Sequence, residues 1–204
     1  MKAFPEEFVF KSEDAIINGL GSGQPLGILN APCLVTVNKE TNQASTTFNY
    51  DNSVKMFARM WARSMPNAVW LINQDVIPQL FALSVAIGTA GAPAVGNNGV
   101  PAYLPPNAMN GTTAGTLWNR PVIPVEYCAT LGTAGDVIFG DFSQYQWADR
   151  AQLQSAVSMH VRFINDELTY RFVYRADGQP TWNTALTPYK GSNTLSPFIA
   201  LQSR

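Results

Sequence analysis

The stretch Thr116 to Arg150 constrains the fold most, because it crowds three strand-like runs into a short length of chain. Pro121–Tyr127 and Asp136–Phe139 are filled with β-branched and aromatic side chains. Gly132-Thr133-Ala134-Gly135 joins them, with glycines able to take the positive φ that a reversal needs. Tyr145-Gln146-Trp147 follows the Gly140-Asp141 break. Pro121 and Pro124 cannot donate to a ladder, which predicts that the first run lies at a sheet edge or a strand start. A chain carrying this stretch has to build a packed sheet.

A hairpin is predicted beyond Arg150. Val157, Met159 and Val161 alternate with Ser158 and His160, and Asn165-Asp166 reads as the turn. Leu168, Tyr170, Phe172 and Tyr174 then alternate with Thr169, Arg171, Val173 and Arg175, the cleanest period of two in the chain. Asp177-Gly178 reads as the next turn and Phe198–Leu201 as a short closing strand.

Helical signals are fewer. Pro5-Glu6-Glu7-Phe8 opens a helix running to about Ile17, with proline in the first turn and carboxylates at the positive end of the dipole. Asp51-Asn52-Ser53 reads as an N-cap cluster. Val54, Phe57, Ala58, Trp61 and Ala62 then fall on one face, which predicts a helix up to Pro66-Asn67 with Phe57 and Trp61 in the core. Ala68–Asn73 reads as a buried strand, and Asp75 as the cap of a second helix that tolerates Pro78. Ile28–Val37 reads as a strand pair broken at Asn30-Ala31-Pro32. Ala86 to Ala114 is almost all turn and loop, with one short strand at Ala102–Leu104. A loop of that length inside a domain is usually functional or mobile.

Composition narrows the class. Of 204 residues 46% are hydrophobic, ample for a core, and only 13% are charged. That neutral polar surface suits either a protein touching copies of itself over large areas or a secreted, loop-rich domain. The formal net charge of −1 argues against a dedicated nucleic-acid binder. Lys55, Arg59 and Arg63 share a helical spacing that reads as a solvated face. Cys33 and Cys128 are too few for a disulfide scaffold and lack metal-ligand spacing, so both read as buried thiols. No apolar run approaches the roughly 18 residues of a membrane span, and no signal-peptide core follows Met1-Lys2, so a soluble intracellular protein is expected.

No residue set argues for catalysis. Gly19, Gly21, Gly23 and Gly27 have the wrong spacing for a phosphate loop and lack its Gly-Lys-Ser/Thr ending; they read as tight turns crossing a neighbouring strand. His160, the single histidine, falls mid-strand, and no nucleophile elbow surrounds Ser22 or any other serine. Asp141 and Asp149 as a glycosidase pair are less economical than Asp141 as an Asx-turn residue. No catalytic residue, metal site or cofactor is assigned.

Three segments, in order, carry a resemblance. They are Asn18-Gly19-Leu20-Gly21-Ser22-Gly23-Gln24-Pro25-Leu26-Gly27-Ile28-Leu29, then Arg120-Pro121-Val122 with Val137-Ile138-Phe139-Gly140-Asp141-Phe142-Ser143 and Tyr145, then Arg171 with Arg175-Ala176-Asp177-Gly178. Together they resemble the major capsid proteins of tailed bacteriophages, those with the Hong Kong ninety-seven fold. The resemblance implies an α+β subunit with two lobes: a peripheral one of residues 1–27 plus 149–204, and an axial one of 28–148. It implies a structural protein, without enzymatic activity or cofactor, whose partners are other copies in pentamers and hexamers of a shell around double-stranded DNA. Assembly would take place in the bacterial host cytoplasm, with no membrane involved.

Under that resemblance the loop containing Asn97, Asn98 and Gly99 would crowd the axis of a ring, and Asn165 and Asp166 would make hairpin-tip contacts. The chain would begin inside or just after the family's spine helix, without the N-terminal arm and extended loop, and would not close shells by itself. Some members cross-link a lysine of that loop to an asparagine near the place of Asn165. Here Tyr170-Arg171-Phe172-Val173 stands where a buried glutamate belongs, so no cross-linking is assigned. The rival reading is a β-rich carbohydrate- or ligand-binding module using Trp61, Trp70, Trp118, Trp147 and Trp182 as stacking platforms.

Overall fold

The computed structural model describes residues 3–85, 100–106 and 114–204. Its centre is a seven-stranded mixed sheet. In chain order the strands are β1 (Val35–Val37), β2 (Val69–Ile72), β5 (Tyr103–Leu104), β6 (Thr116–Leu117), β7 (Arg120–Pro124), β8 (Val137–Gly140) and β11 (Phe198–Leu201). They lie in the order β1-β11-β8-β2-β7-β6-β5. Two short strands, β3 (Ser84–Val85) and β4 (Val100–Pro101), pair apart from it.

The sheet is buried on both faces, so its central strands read as continuous apolar runs. Strict alternation decides which core each side chain enters. Trp70, Ile72, Val137, Phe139, Ile199 and Leu201 face one core. Leu71, Ile138 and Phe198 face the other. Helices α2 (Tyr50–Arg59) and α3 (Ile77–Ala82) cover the first face with Met56 and Leu80. The second face is closed by Ile17 at the end of α1 (Ala3–Asn18), by Ile28, and by the two thiols Cys33 and Cys128. The expectation of two buried thiols is met.

β7 is not an edge strand. It runs parallel to β2 and antiparallel to β6. Its prolines are tolerated because of parity. Val122 donates toward Gly115 on the β6 side and Val125 toward Ile72 on the β2 side. Pro121 therefore faces β2 one residue before the Trp70↔Val122 ladder begins, and Pro124 faces β6 beyond its last pairing.

Helix α2 departs most from its sequence pattern. It ends at Arg59, its N-cap is Asn49, and its buried residues are Asn52, Ser53 and Met56. Val54 and Ala58 point to solvent, and Phe57 and Trp61 are half-buried. Polar pairing sets this rotation. Gln43 and Asn52 exchange two amide hydrogen bonds of 2.7 and 3.1 Å, and Ser53 Oγ accepts from Trp118 Nε1 at 3.2 Å. Arg63 lies beyond the helix, so the predicted basic face is not continuous.

Four smaller expectations change as well. Ile28–Asn30 is a 3-10 turn rather than a strand, and only Val35–Val37 pairs. Asn73, not Asp75, caps the turn into α3, accepting the Asp75 N–H at 3.0 Å. Asp177-Gly178 lies inside a strand rather than in a turn. His160 stands exposed beyond the end of its strand.

The remaining β structure is an antiparallel ribbon of β9 (Tyr145–Ser158) and β10 (Thr169–Pro180). At about 3.4 Å per residue a 14-residue strand reaches roughly 48 Å. Its base is tied to the glycine-rich segment, where Leu26 donates to Gly178 O at 2.8 Å and Tyr145 donates to Leu26 O at 3.0 Å. Gly27 and Gly19 meet there so closely that a Cβ on Gly27 would lie 2.4 Å from Gly19 N. The glycines thus serve close crossing, as expected.

Candidate assembly surface

The ribbon is the part of the chain that its own core does not explain. One face is partly covered: Phe4 and Phe8 of α1 pack on Phe172 with ring centroids at 4.9 and 6.4 Å, and Phe8 reaches Tyr174. Farther out the apolar side chains have nothing over them. Val161, Phe163 and Ile164 are 70, 74 and 97% exposed, with Met159, Val157 and Leu168 exposed beside them. A contiguous exposed apolar cluster of this kind marks an interaction surface.

Both predicted tip residues fall within it. Asn165 closes a 3-10 turn over Phe163–Asn165, and Asp166 follows in the left-handed region at φ 53°. Arg162 and Glu167 bridge the neck of the tip at 2.9 Å. Asn97, Asn98 and Gly99 lie outside the described residues.

Groups that a chemical reading would use are already engaged. Asp141 is buried and accepts from Ser143 N at 3.0 Å and Ser143 Oγ at 2.6 Å, which is the expected Asx turn. Asp149, on the exposed ribbon, accepts from Trp147 Nε1 at 2.7 Å and from the Tyr174 hydroxyl. That hydrogen bond, with some burial, raises the Tyr174 pKa. Burial pushes the Cys128 thiol up to about 12, helped by the nearby Asp136 charge, and burial raises Cys33 too. Neither thiol is a nucleophile at neutral pH. Among the described residues no three His, Cys, Asp or Glu side chains gather as a metal site.

The tryptophans are spent on packing. Trp70 is fully buried and stacks on Phe139 at 4.1 Å, while Trp61 meets Trp182 edge-on at 5.6 Å. Trp118 contacts Tyr50 and Phe57, and Trp147 is half-buried. None is exposed, which removes the platforms of the carbohydrate-binding reading.

Sequence reasoning missed two features. The first is an ion pair with both side chains 0% exposed, in which Arg204 donates to Asp136 at 2.7 and 3.0 Å. Asp136 also accepts from Gly132 N at 2.9 Å, so the pair sits inside the Gly132–Gly135 connection. Sixty-odd intervening residues hide it, and no local pattern announces it. The second is a row of three arginines on the ribbon, Arg150, Arg171 and Arg175, lining one cleft. Their alternation was visible, but not their convergence across strands.

Comparison with known proteins bears on what this surface meets. The model of the phage capsid family matches residues 1–191. No curated protein sequence matches the chain. Two solved structures similar to it are capsids of a GTA particle, empty and native. The empty one has a TM-score of 0.67 at 16% identity, covering 99% of this chain and 64% of that one. The native one has a TM-score of 0.65 at 18% identity, covering 99% and 63%. The holo-SrpI encapsulin complex of Synechococcus elongatus PCC 7942 is also similar, with a TM-score of 0.55 at 13% identity, covering 98% and 63%. The chain thus spans under two thirds of each, and at these identities the likeness is one of fold: the α+β architecture of those shells.

Proposed function

Because the chain belongs to the phage capsid family, we propose that its copies tile into the icosahedral shell of a tailed phage or prophage, around double-stranded DNA. The function is structural. The observation that carries this reading is the β9–β10 ribbon, which exposes Val161, Phe163 and Ile164 beyond the reach of its own core. A two-stranded ribbon is marginal alone in water, and this one needs other surfaces to cover it.

In this reading the peripheral lobe is built from residues 1–27 and 149–204, which hold most of the ribbon, and the axial lobe from 28–148, from which β9 starts at Tyr145. β11 belongs with the axial sheet, since it pairs with β1 and β8. Asn97, Asn98 and Gly99 approach the axis of a five- or six-membered ring, while Asn165 and Asp166 meet neighbouring copies at the ribbon tip. Ring contacts of this kind are head-to-tail, one edge of the subunit complementing another. Assembly takes place in the host cytoplasm.

The test is light scattering coupled to size exclusion across a concentration series, with negative-stain imaging of the fractions. Five- or six-membered rings are expected at high concentration, and Ile164→Asp is expected to shift them toward single chains. A monomer that persists to millimolar concentration, with Ile164→Asp indistinguishable from it, would sink this reading.

A further inference from the structure

The ribbon's two faces differ in kind. Phe172 and Tyr174 point to the face that α1 covers. Arg171, Val173 and Arg175 point the other way, and with Arg150, Gln152 and Gln154 they line a cleft of about 320 Å³. β9 is irregular at this place. The register runs Val173↔Gln154, Arg175↔Ala151, Ala176↔Asp149, so β9 carries an extra residue on either side of Ala151. Bulges re-aim side chains, and these bring Arg150 round beside Arg175.

Three guanidinium groups gathered on one side repel one another unless an anion joins them. The ion pairs among the described residues are Lys11–Glu7, Lys55–Glu40, Arg162–Glu167 and Arg204–Asp136, and none involves these three arginines. Asp149, next to Arg150, is engaged by Trp147 and Tyr174, and Asp177, two residues past Arg175, accepts from Gly178 N at 2.8 Å. The open face is polar, so what covers it must carry negative charge rather than apolar surface.

The chain has such a surface. Helix α1 carries Glu6, Glu7, Glu13 and Asp14 against Lys11, and Glu6, Glu7 and Glu13 are exposed. Lys11 offsets Glu7 at 3.7 Å, while Glu13, which accepts from the neutral Tyr127 hydroxyl at 2.8 Å, keeps its charge, so Glu6 and Glu13 make the acidic side. Within one molecule this helix lies across the opposite face of the ribbon, so its carboxylates do not reach the arginine cleft. We propose that the arginine cleft of one copy receives the acidic side of α1 from a neighbouring copy. This deepens the shell reading and rests on it. Helix, ribbon, helix then alternate through the contact, and the surface pattern makes it heterologous: plus meets minus, never itself. Arginine suits the role because its planar fork grips carboxylates bidentately.

A mixture of two variants, each with one added cysteine, tests the pairing. Val9→Cys lies on the exposed side of α1 with Glu6 and Glu13, and Gln152→Cys lies in the cleft. The native Cys33 and Cys128 are buried and do not compete. Mild oxidation of the equimolar mixture at millimolar concentration is expected to give the Val9→Cys/Gln152→Cys heterodimer at about tenfold over either homodimer, well beyond the about twofold excess of random pairing. About 1 M salt, or Arg171→Glu with Arg175→Glu, is expected to cut its yield about tenfold.

A heterodimer no more abundant than random pairing gives, or association without the heterodimer, would overturn the proposal while leaving the shell reading intact. Absence of any association would overturn both. A short DNA duplex is the remaining arm. If the chain binds the duplex, loses it on arginine reversal and gives no heterodimer, the cleft serves nucleic acid and the proposal is wrong.

Discussion

The seven-stranded sheet and the β9–β10 ribbon are built from similar residues, yet they stand at opposite ends of dependence on the chain's own packing. β2, β8 and β11 bury nearly every side chain, on two faces, against covering segments of the same molecule. The ribbon has longer strands and a cleaner period of two, but its outer half leaves both faces in solvent. Alternation says that a strand has two faces. It does not say that the same molecule covers either of them. Under the proposed function, neighbouring copies would supply the cover that the ribbon lacks.

The strongest way to break this contrast is to truncate matched phenylalanines. Phe139 is fully buried between Trp70 and Phe57. Phe139→Ala should cost about 3–5 kcal/mol through lost burial and the cavity left behind. Phe163→Ala at the ribbon tip should change the isolated chain by no more than about 0.5 kcal/mol. Urea unfolding of both variants reads this directly, and equal midpoints would erase the distinction between the two regions.

Asp136→Ala probes the sheet by a different route. It strands Arg204 as a buried cation without its partner, which typically costs about 3–5 kcal/mol. Replacing both partners with apolar residues of similar volume should recover much of that loss. A single variant as stable as the parent would mean that water reaches the pair.

Titration sharpens the comparison more gently. Burial raises Cys128 from 9.0 to about 12 and Tyr145 from 10.0 to about 12. Both groups stay protonated in the folded chain at pH values where the unfolded chain has ionised. Their contribution is therefore complete below about pH 9 and is lost as pH rises through about 12. The denaturation midpoint should fall across that window, and Cys128→Ala should flatten the first part of the fall. A midpoint that holds steady to pH 11 would contradict this.

The smallest effect is expected at the neck of the tip. The Arg162–Glu167 bridge is exposed on both sides, and breaking it with Glu167→Gln should change stability by under about 1 kcal/mol. If the tip has an organised role in the isolated chain, thermal melts will show a larger loss.

The amino-acid order by itself determined the elements that local periodicity encodes. The buried runs at Val69–Ile72, Val137–Gly140 and Phe198–Leu201, the helix opening near Pro5, the Asx turn at Asp141 and the hairpin turning at Asn165-Asp166 were legible, because each is set by neighbours a few residues apart; that Tyr145-Gln146-Trp147 opens the ribbon strand rather than a third strand of the sheet was not. Three spaced segments were also enough to point to the family. Tertiary structure alone decided the rest. Helix α2 turned its polar Asn52 and Ser53 inward because Gln43 and Trp118 offered hydrogen bonds better than burying Val54 would return. The turn between β6 and β7 holds two left-handed residues, Trp118 at φ 53° and Asn119 at φ 59°, where sequence offers no glycine. The tryptophan ring, packed on Tyr50 and Phe57, helps hold that conformation. Asp136 found Arg204 across 68 residues, and bulges in β9 gathered arginines that sequence had spread over two strands. Partners of that kind are fixed by where strands cross and how they register, and no local pattern carries that information.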